Sequence, residues 1–350
     1  MKLICLIGND PLQVLMPMQL TRLFDGAYLI VNEETDGLAQ RILTFLERED
    51  DEEDPPWKEA VQIIHIGKEA EYYSARETIS DIIAKEYCRN EEVAFNYSGK
   101  NSPVKFAMIH TANHFLAPNI VVNSASHRIE LFSKSWNRKT ISWEFLPWHP
   151  LKATVSEMLG LSGLCWERIF PRGFKGINFE RKIFSDFSAA KINGLFDDVE
   201  HNLLFTWNQE GQKNEIDIVA LRRGVLCFIS LKSGKNVQKA AGFKREYKKM
   251  LTRYPEKIAG MPCLHVLISK ATLYKKRFYK MLANGILAVD DVRTDEQAAL
   301  ALEMISYAAD LISKTGRSLP YDFYHRFINR QFSKWGTENA KMKRKTKVSG

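Results

Sequence analysis

Long apolar runs are missing from this chain of 350 residues. None approaches the roughly 20 residues that span a bilayer, so neither a transmembrane helix nor a membrane partner is expected. The opening run at residues 2–7 is stopped at once by Gly8. It has neither the apolar length nor the small-residue cleavage site of a signal peptide. Cysteine is scarce, and Cys5, Cys88, Cys165, Cys227 and Cys263 show no paired spacing. That excludes a disulfide scaffold and a zinc motif, and it suits reduced residues of a cytoplasmic protein. Internal repeats and low-complexity tracts do not organise the chain either; what does is charge and periodicity.

The formal charge is +8, and it is unevenly spread. An acidic cluster at 47–54 interrupts the first half, whereas lysine and arginine gather at 232–257, 275–277 and 341–347. A basic C-terminal half suits a polyanion such as nucleic acid, and it equally serves solubility.

The most informative stretch is NEIDIVALRRGVLCFISLKSGK, residues 214–235 without the flanking loop. Its aliphatic, β-branched runs 215–221 and 225–232 predict two strands joined by a tight turn at Arg223-Gly224. Side chains alternate along a strand, so Glu215 and Asp217 share one face and Ser230 and Lys232 share another. A two-residue loop places Asp217 opposite Ser230 and Glu215 opposite Lys232; a four-residue loop keeps that register, and an odd loop breaks it. In the even register two carboxylates, a hydroxyl and an ammonium converge on one patch. Crowded carboxylates recruit a cation, and hard oxygen donors suit Mg²⁺ or Mn²⁺. The plain alternative is a hairpin with solvated edge charges.

This pattern resembles the core of the PD-(D/E)xK nuclease superfamily in its E-x-D, hairpin, (D/E)-x-K form. The resemblance implies Asp217 as central metal ligand, Glu215 as auxiliary carboxylate and Lys232 as catalytic lysine. The second acidic position is Ser230 here. In this superfamily the helix before the hairpin often carries a glutamate, and Glu180 in the segment INFERKIF (177–184) occupies that place.

Ahead of this unit, strand-like runs at 2–7, 27–31, 61–66 and 93–96 alternate with helical periodicity at 12–24, 38–48 and 74–86. Such alternation predicts a parallel sheet covered by helices, with ligands beyond the carboxyl ends of its strands. Short strands at 120–123, 128–132 and 140–145 complete it. The loop after residue 96 reads Asn96-Tyr97-Ser98-Gly99-Lys100-Asn101-Ser102-Pro103-Val104-Lys105-Phe106-Ala107-Met108. Backbone N–H groups and hydroxyls at a helix start cradle anions, and Lys105 adds positive charge. This loop resembles the N-x-T-G-G-T-K-x-M signature of CARF domains, with Asn96, Ser98, Gly99 and Lys105 on matching residue types and a longer loop between. Gly8, Asn9 and Asp10 after the first strand fit the same pattern. His110 and His114 lie one helical turn apart but have no third ligand in view, so packing accounts for them.

The two resemblances together define an α/β fold class: a Rossmann-like CARF domain over 1–145, a connecting segment with a helix at 151–159 over 146–172, a restriction-endonuclease-like domain over 173–335, and a basic tail over 336–350. In that order they are similar to the CARF-family effector nucleases of type III CRISPR systems. The resemblance implies a homodimer that encloses cyclic tetra-adenylate and then cleaves DNA, RNA or both with Mg²⁺ or Mn²⁺. Two other readings stand beside it. One is a weak or inactive nuclease-fold regulator that binds cyclic nucleotide and nucleic acid; the other is a constitutive repair or restriction nuclease.

Overall fold

The computed structural model describes residues 1–8, 10–21, 23–47, 60–66, 72–89, 91–97, 102–123, 128–132, 140–144, 153–169, 177–207, 212–253, 257–258, 261–315, 319–320 and 322–327. Alternation along the first two strands decides how the N-terminal half is layered. Leu3 and Cys5 of β1 (Lys2–Leu6) share a core with Ala27, Leu29 and Val31 of β2 (Gly26–Val31), and with α1 (Leu12–Thr21) and α2 (Asp36–Leu46). Their neighbours Ile4, Leu6, Tyr28 and Ile30 point the other way, into a core built with α3 (Tyr72–Tyr87) and α4 (Pro103–His114). Strands apolar on both faces belong in a sheet covered on both faces.

That sheet also contains β3 (Val61–His65), β4 (Val93–Asn96), β5 (Asn119–Asn123), β6 (Arg128–Phe132) and β7 (Thr140–Glu144), in the order β3-β2-β1-β4-β5-β6-β7. Strands β1 to β5 pair in parallel, and β6 and β7 add antiparallel. The order reverses between β1 and β4, a topological switch point whose crevice opens past residues 6 and 96.

The connecting helix α5 (Val155–Ser162) starts later than the periodicity predicts. Thr154 sets that start: its side chain accepts from the Glu157 N–H while the Glu157 carboxylate accepts from the Thr154 N–H, a reciprocal cap. Gly163, at φ 72°, ends the helix. Leu161 and Val155 of α5 extend the α1/α2 core towards the second sheet. The strand β8 (Cys165–Arg168) follows directly and pairs with β9 (Asp198–Trp207). A segment read from the sequence as connection therefore contributes an edge strand.

The second sheet has the order β15-β14-β11-β10-β9-β8. Strands β9, β10 (Gln212–Arg222) and β11 (Val225–Lys232) form an antiparallel meander; β14 (Leu264–Ser269) and β15 (Ile286–Val289) then continue in parallel with β11. Helices α6 (Ile177–Ile192) and α9 (Asp295–Thr315) pack on it. Two further helices, α7 (Ala240–Arg253) and α8 (Lys275–Leu282), lie between β11 and β15 in the chain. Strand β11 is buried almost throughout, and Phe187, Phe205 and Phe228 are fully buried around it. Each such ring stabilises by roughly 1.5–3 kcal/mol relative to exposure. The last helical turns expected at 321–334 are described only over 322–327, and the tail lies outside the described residues.

Candidate active site

The turn between β10 and β11 settles the register. Arg223 and Gly224 both have positive φ, 48° and 75°, as the favoured two-residue hairpin turn requires. Residues pair from Arg222↔Val225 to Ile218↔Ile229. The pairing ends there; continued without a break, its register would set Asp217 opposite Ser230 and Glu215 opposite Lys232, the arrangement expected of a two-residue loop. Past Ile229 the Leu231 N–H donates to the Asp217 carboxylate at 2.5 Å. The hairpin thus forks at Asp217, with one acid braced in the gap.

Glu180, in the first turn of α6, joins this fork. Its carboxyl is pushed above the usual range by burial first and then by the negative charge of Asp217, against which Lys232 pulls it down and Glu215 pushes it up. The three other predicted charged residues therefore all act on Glu180. Ser230 is 1% exposed, and its Oγ has no hydrogen-bond partner. Lys232, at the end of β11, is 27% exposed.

Two residues of α7 complete the cluster: Glu246, which the sequence reading passed over, and Lys249, which it took only as one of a row of basic side chains for a phosphate backbone. The Glu246 carboxylate lies 3.5 Å from the Lys232 ammonium, with its side chain 12% exposed. The Lys249 ammonium donates to the Glu215 carbonyl at 3.1 Å. Lys249 is held below the usual lysine range by burial and then by Lys232, while Asp217, Glu246 and Glu215 oppose the shift. A signal for Glu246 existed: Phe243, Glu246, Tyr247 and Met250 lie on one helical face, three members of which are apolar, and the acid stands among lysines and arginines.

Among the described residues no three His, Cys, Asp or Glu side chains are drawn close enough to hold a metal ion as they stand. In kind, the donors fit a hard divalent cation. The Glu180 carboxyl, raised by burial and by the charges of Asp217 and Glu215 with Lys232 in partial compensation, stands in the oxygen-rich, negative environment that Mg²⁺ and Mn²⁺ take.

At the switch point of the first sheet the polar residues are engaged with nearby backbone. Asn96 is buried, and its side-chain amide donates to the Gln13 carbonyl at 2.6 Å, tying β4 to α1. The Asp10 carboxylate accepts from the Leu12 N–H at 3.0 Å, and burial raises it above the usual range against that bond and a weaker one from Gln13. Gly8 is buried beside it. Lys105 sits in the first turn of α4, half-buried, and its N–H donates to the Ser102 hydroxyl that caps the helix. Asn9, Ser98 and Gly99 lie outside the described residues. His110 is matched with the Tyr72 hydroxyl, a packing contact on the α3/α4 surface.

A Rossmann-like sheet with a crevice at its switch point, joined to a mixed sheet carrying a charged hairpin fork, defines the class of this protein by fold. No protein-family model and no curated protein matches the chain. Solved structures do. One is protein VC1899 from Vibrio cholerae, at 12% identity and a TM-score of 0.61 over 90% of this chain and 99% of that one. Another is Can2 from Sulfobacillus thermosulfidooxidans in complex with cyclic tetra-adenylate, at 15% identity and a TM-score of 0.57 over 87% and 96%. A type III CRISPR defence DNA nuclease activated by cyclic oligoadenylate is similar at 12% identity and a TM-score of 0.46, over 78% of this chain and 46% of that one. The chain has the two-part fold of VC1899 and Can2 along nearly its whole length, in agreement with the fold that the sequence resemblance implied. Among the described residues, no helix is long and apolar enough to cross a membrane.

Proposed function

We propose that the chain is a cyclic-oligoadenylate-activated, metal-dependent nuclease of type III CRISPR defence. The observation that carries this reading is the gathering of Glu180, Glu215, Asp217 and Lys232 at the hairpin fork, where the charges of Asp217 and Glu215 raise the Glu180 carboxyl and Lys232 lowers it. The fold shared with Can2, which is solved with cyclic tetra-adenylate, supports the regulatory half. Two chains would pair through their first sheets as an isologous homodimer, a symmetry that suits a two-fold ligand. The ligand lies past β1 and β4, near Gly8, Asn9, Asp10, Asn96, Ser98, Gly99 and Lys105. It acts by favouring one arrangement of the pair over another.

Asp217, with Glu215 and Glu180, would hold Mg²⁺ or Mn²⁺, which when bound polarises a phosphodiester and acidifies water. The Leu231 N–H fixes the Asp217 carboxylate, so that acid is oriented before anything binds. Lys232 presents its ammonium to the attacking water or to the charge that builds on the phosphate. The basic side chains of α7, among them Lys244, Arg245 and Lys248, and Lys239 just before it are exposed and suit a nucleic-acid backbone.

The test is cleavage of single-stranded and supercoiled DNA and of RNA with Mn²⁺, with and without cyclic tetra-adenylate. Cleavage that depends on both supports the reading; cleavage indifferent to the nucleotide favours a constitutive nuclease. A second reading, a regulator that binds without cutting, draws on Ser230 standing where the superfamily has a carboxylate. An inert wild type together with an active Ser230→Glu variant would establish it.

A further inference from the structure

Ser230 leaves the hairpin one acid short, and the position is not idle space. Its hydroxyl is buried without a partner on the face that carries Lys232 two residues later. A buried carboxylate lies close by on another element. Glu246 approaches Lys232 to 3.5 Å, and its Oε2 is enclosed yet makes no hydrogen bond of its own. An enclosed carboxylate oxygen with no donor is costly, by about 1–3 kcal/mol or more, unless the neighbouring charge or a ligand compensates it. Helix α7 is fixed in this pose one turn later, where Lys249 bonds the Glu215 carbonyl. Phe243 and Met250 bury its apolar face, so Glu246 enters the cluster from a docked helix and not from a free surface.

We propose that Glu246 is a positioning residue of this site: it supplies from α7 the acidic group that the hairpin lacks at Ser230, and it holds the Lys232 ammonium in the carboxylate cluster. Its consequence for cleavage rests on the nuclease reading above; the pairing itself does not. In the full chain with Mn²⁺, cyclic tetra-adenylate and supercoiled plasmid, Glu246→Gln lowers kcat by about 10- to 100-fold, the usual cost of losing an orienting partner. KM for DNA stays within about twofold, because the group acts on the chemical step. Adding Ser230→Glu to Glu246→Gln restores most of the loss. Wild-type kcat in Glu246→Gln, or a loss expressed in KM alone, overturns the proposal.

The buried Ser230 position makes the double variant a risk for folding, so a second measurement stands apart from activity. Thermal unfolding of wild type, Glu246→Gln, Lys232→Met and the variant carrying both Glu246→Gln and Lys232→Met, without metal or nucleotide, closes a cycle. Non-additive shifts are expected, and additive shifts overturn the pairing. A wild type that cuts nothing defeats the nuclease reading, while the cycle still decides whether Glu246 and Lys232 act together.

Discussion

The switch-point crevice of the first sheet and the hairpin fork of the second both gather polar side chains at the ends of strands, yet they treat them in opposite ways. At the crevice, Asn96, Asp10 and Ser102 each satisfy a backbone group within their own domain. At the fork the demand is left open: Ser230 Oγ and Glu246 Oε2 lack hydrogen-bond partners, and the Glu180 carboxyl is pushed up by burial and by its neighbours. A crevice whose polar atoms hold the scaffold offers shape and backbone. A fork whose charges are only partly compensated offers a place for something charged. The proposed division into a binding surface and a reactive one rests on this difference.

The contrast can be broken most severely at Asp217. Asp217→Ala is expected to lower cleavage by about three orders of magnitude, the scale of losing a group that acts in the reaction, while cyclic tetra-adenylate binding, measured by calorimetry, is unchanged. If cleavage survives, the fork is not the reactive region. Next comes Asn96→Ala, which strands the half-buried Gln13 carbonyl. It should cost about 1–3 kcal/mol in urea unfolding and weaken nucleotide binding, with the fork's chemistry intact once ligand saturates.

Glu180→Gln sharpens the comparison through pH. A carboxyl whose folded pKa lies above its unfolded value makes its full contribution to stability below the unfolded pKa, and that contribution is lost as pH rises through the folded pKa. The glutamate is therefore a burden at neutral pH. Glu180→Gln is expected to raise the melting temperature there, with the gain shrinking on acidification, while cleavage falls. In the wild type, the same shift makes activity fade on acidification earlier than an ordinary glutamate would dictate. The smallest effect belongs to neither region: Thr154→Ala removes the cap of α5 and costs about 1 kcal/mol, visible as a lower urea midpoint without change in cleavage per folded molecule.

Much of the architecture was written in periodicity. Leu3/Cys5 against Ile4/Leu6 announces a sheet covered twice, and Arg223-Gly224 announces a two-residue turn, whose even register carries the pairing as far as Ile218 and Ile229. The parts that escaped depend on distant partners. Residues 165–168 are mostly exposed and too few to alternate, so only their pairing with β9 makes them a strand. Helix α5 begins at Val155 because Thr154 and Glu157 cap each other, a local signal overshadowed by the apolar residues around it. Glu246 was hidden by its company: in a helix of lysines it reads as a charge balance, and only the docking of α7 brings it to Lys232. Glu180 was found because its place ahead of the hairpin is part of a resemblance, not because its own turn distinguishes it.

Asp198 has a mechanical consequence. It is buried at the start of β9, where one oxygen takes the first N–H of α5 at 2.8 Å and the other the Lys191 ammonium at the end of α6 at 2.6 Å. Pulling α5 away from the second sheet would cost that carboxylate its bond from the Val155 N–H, on the order of 1.5–3 kcal/mol, while the Lys191 ion pair remains. The seam between α5 and α2 is bound more lightly, by the Arg41 side chain reaching the Leu161 carbonyl and by apolar contact. Helix α5 therefore travels with the hairpin-bearing half, and any sliding of one half of the molecule against the other has its slip plane along α2.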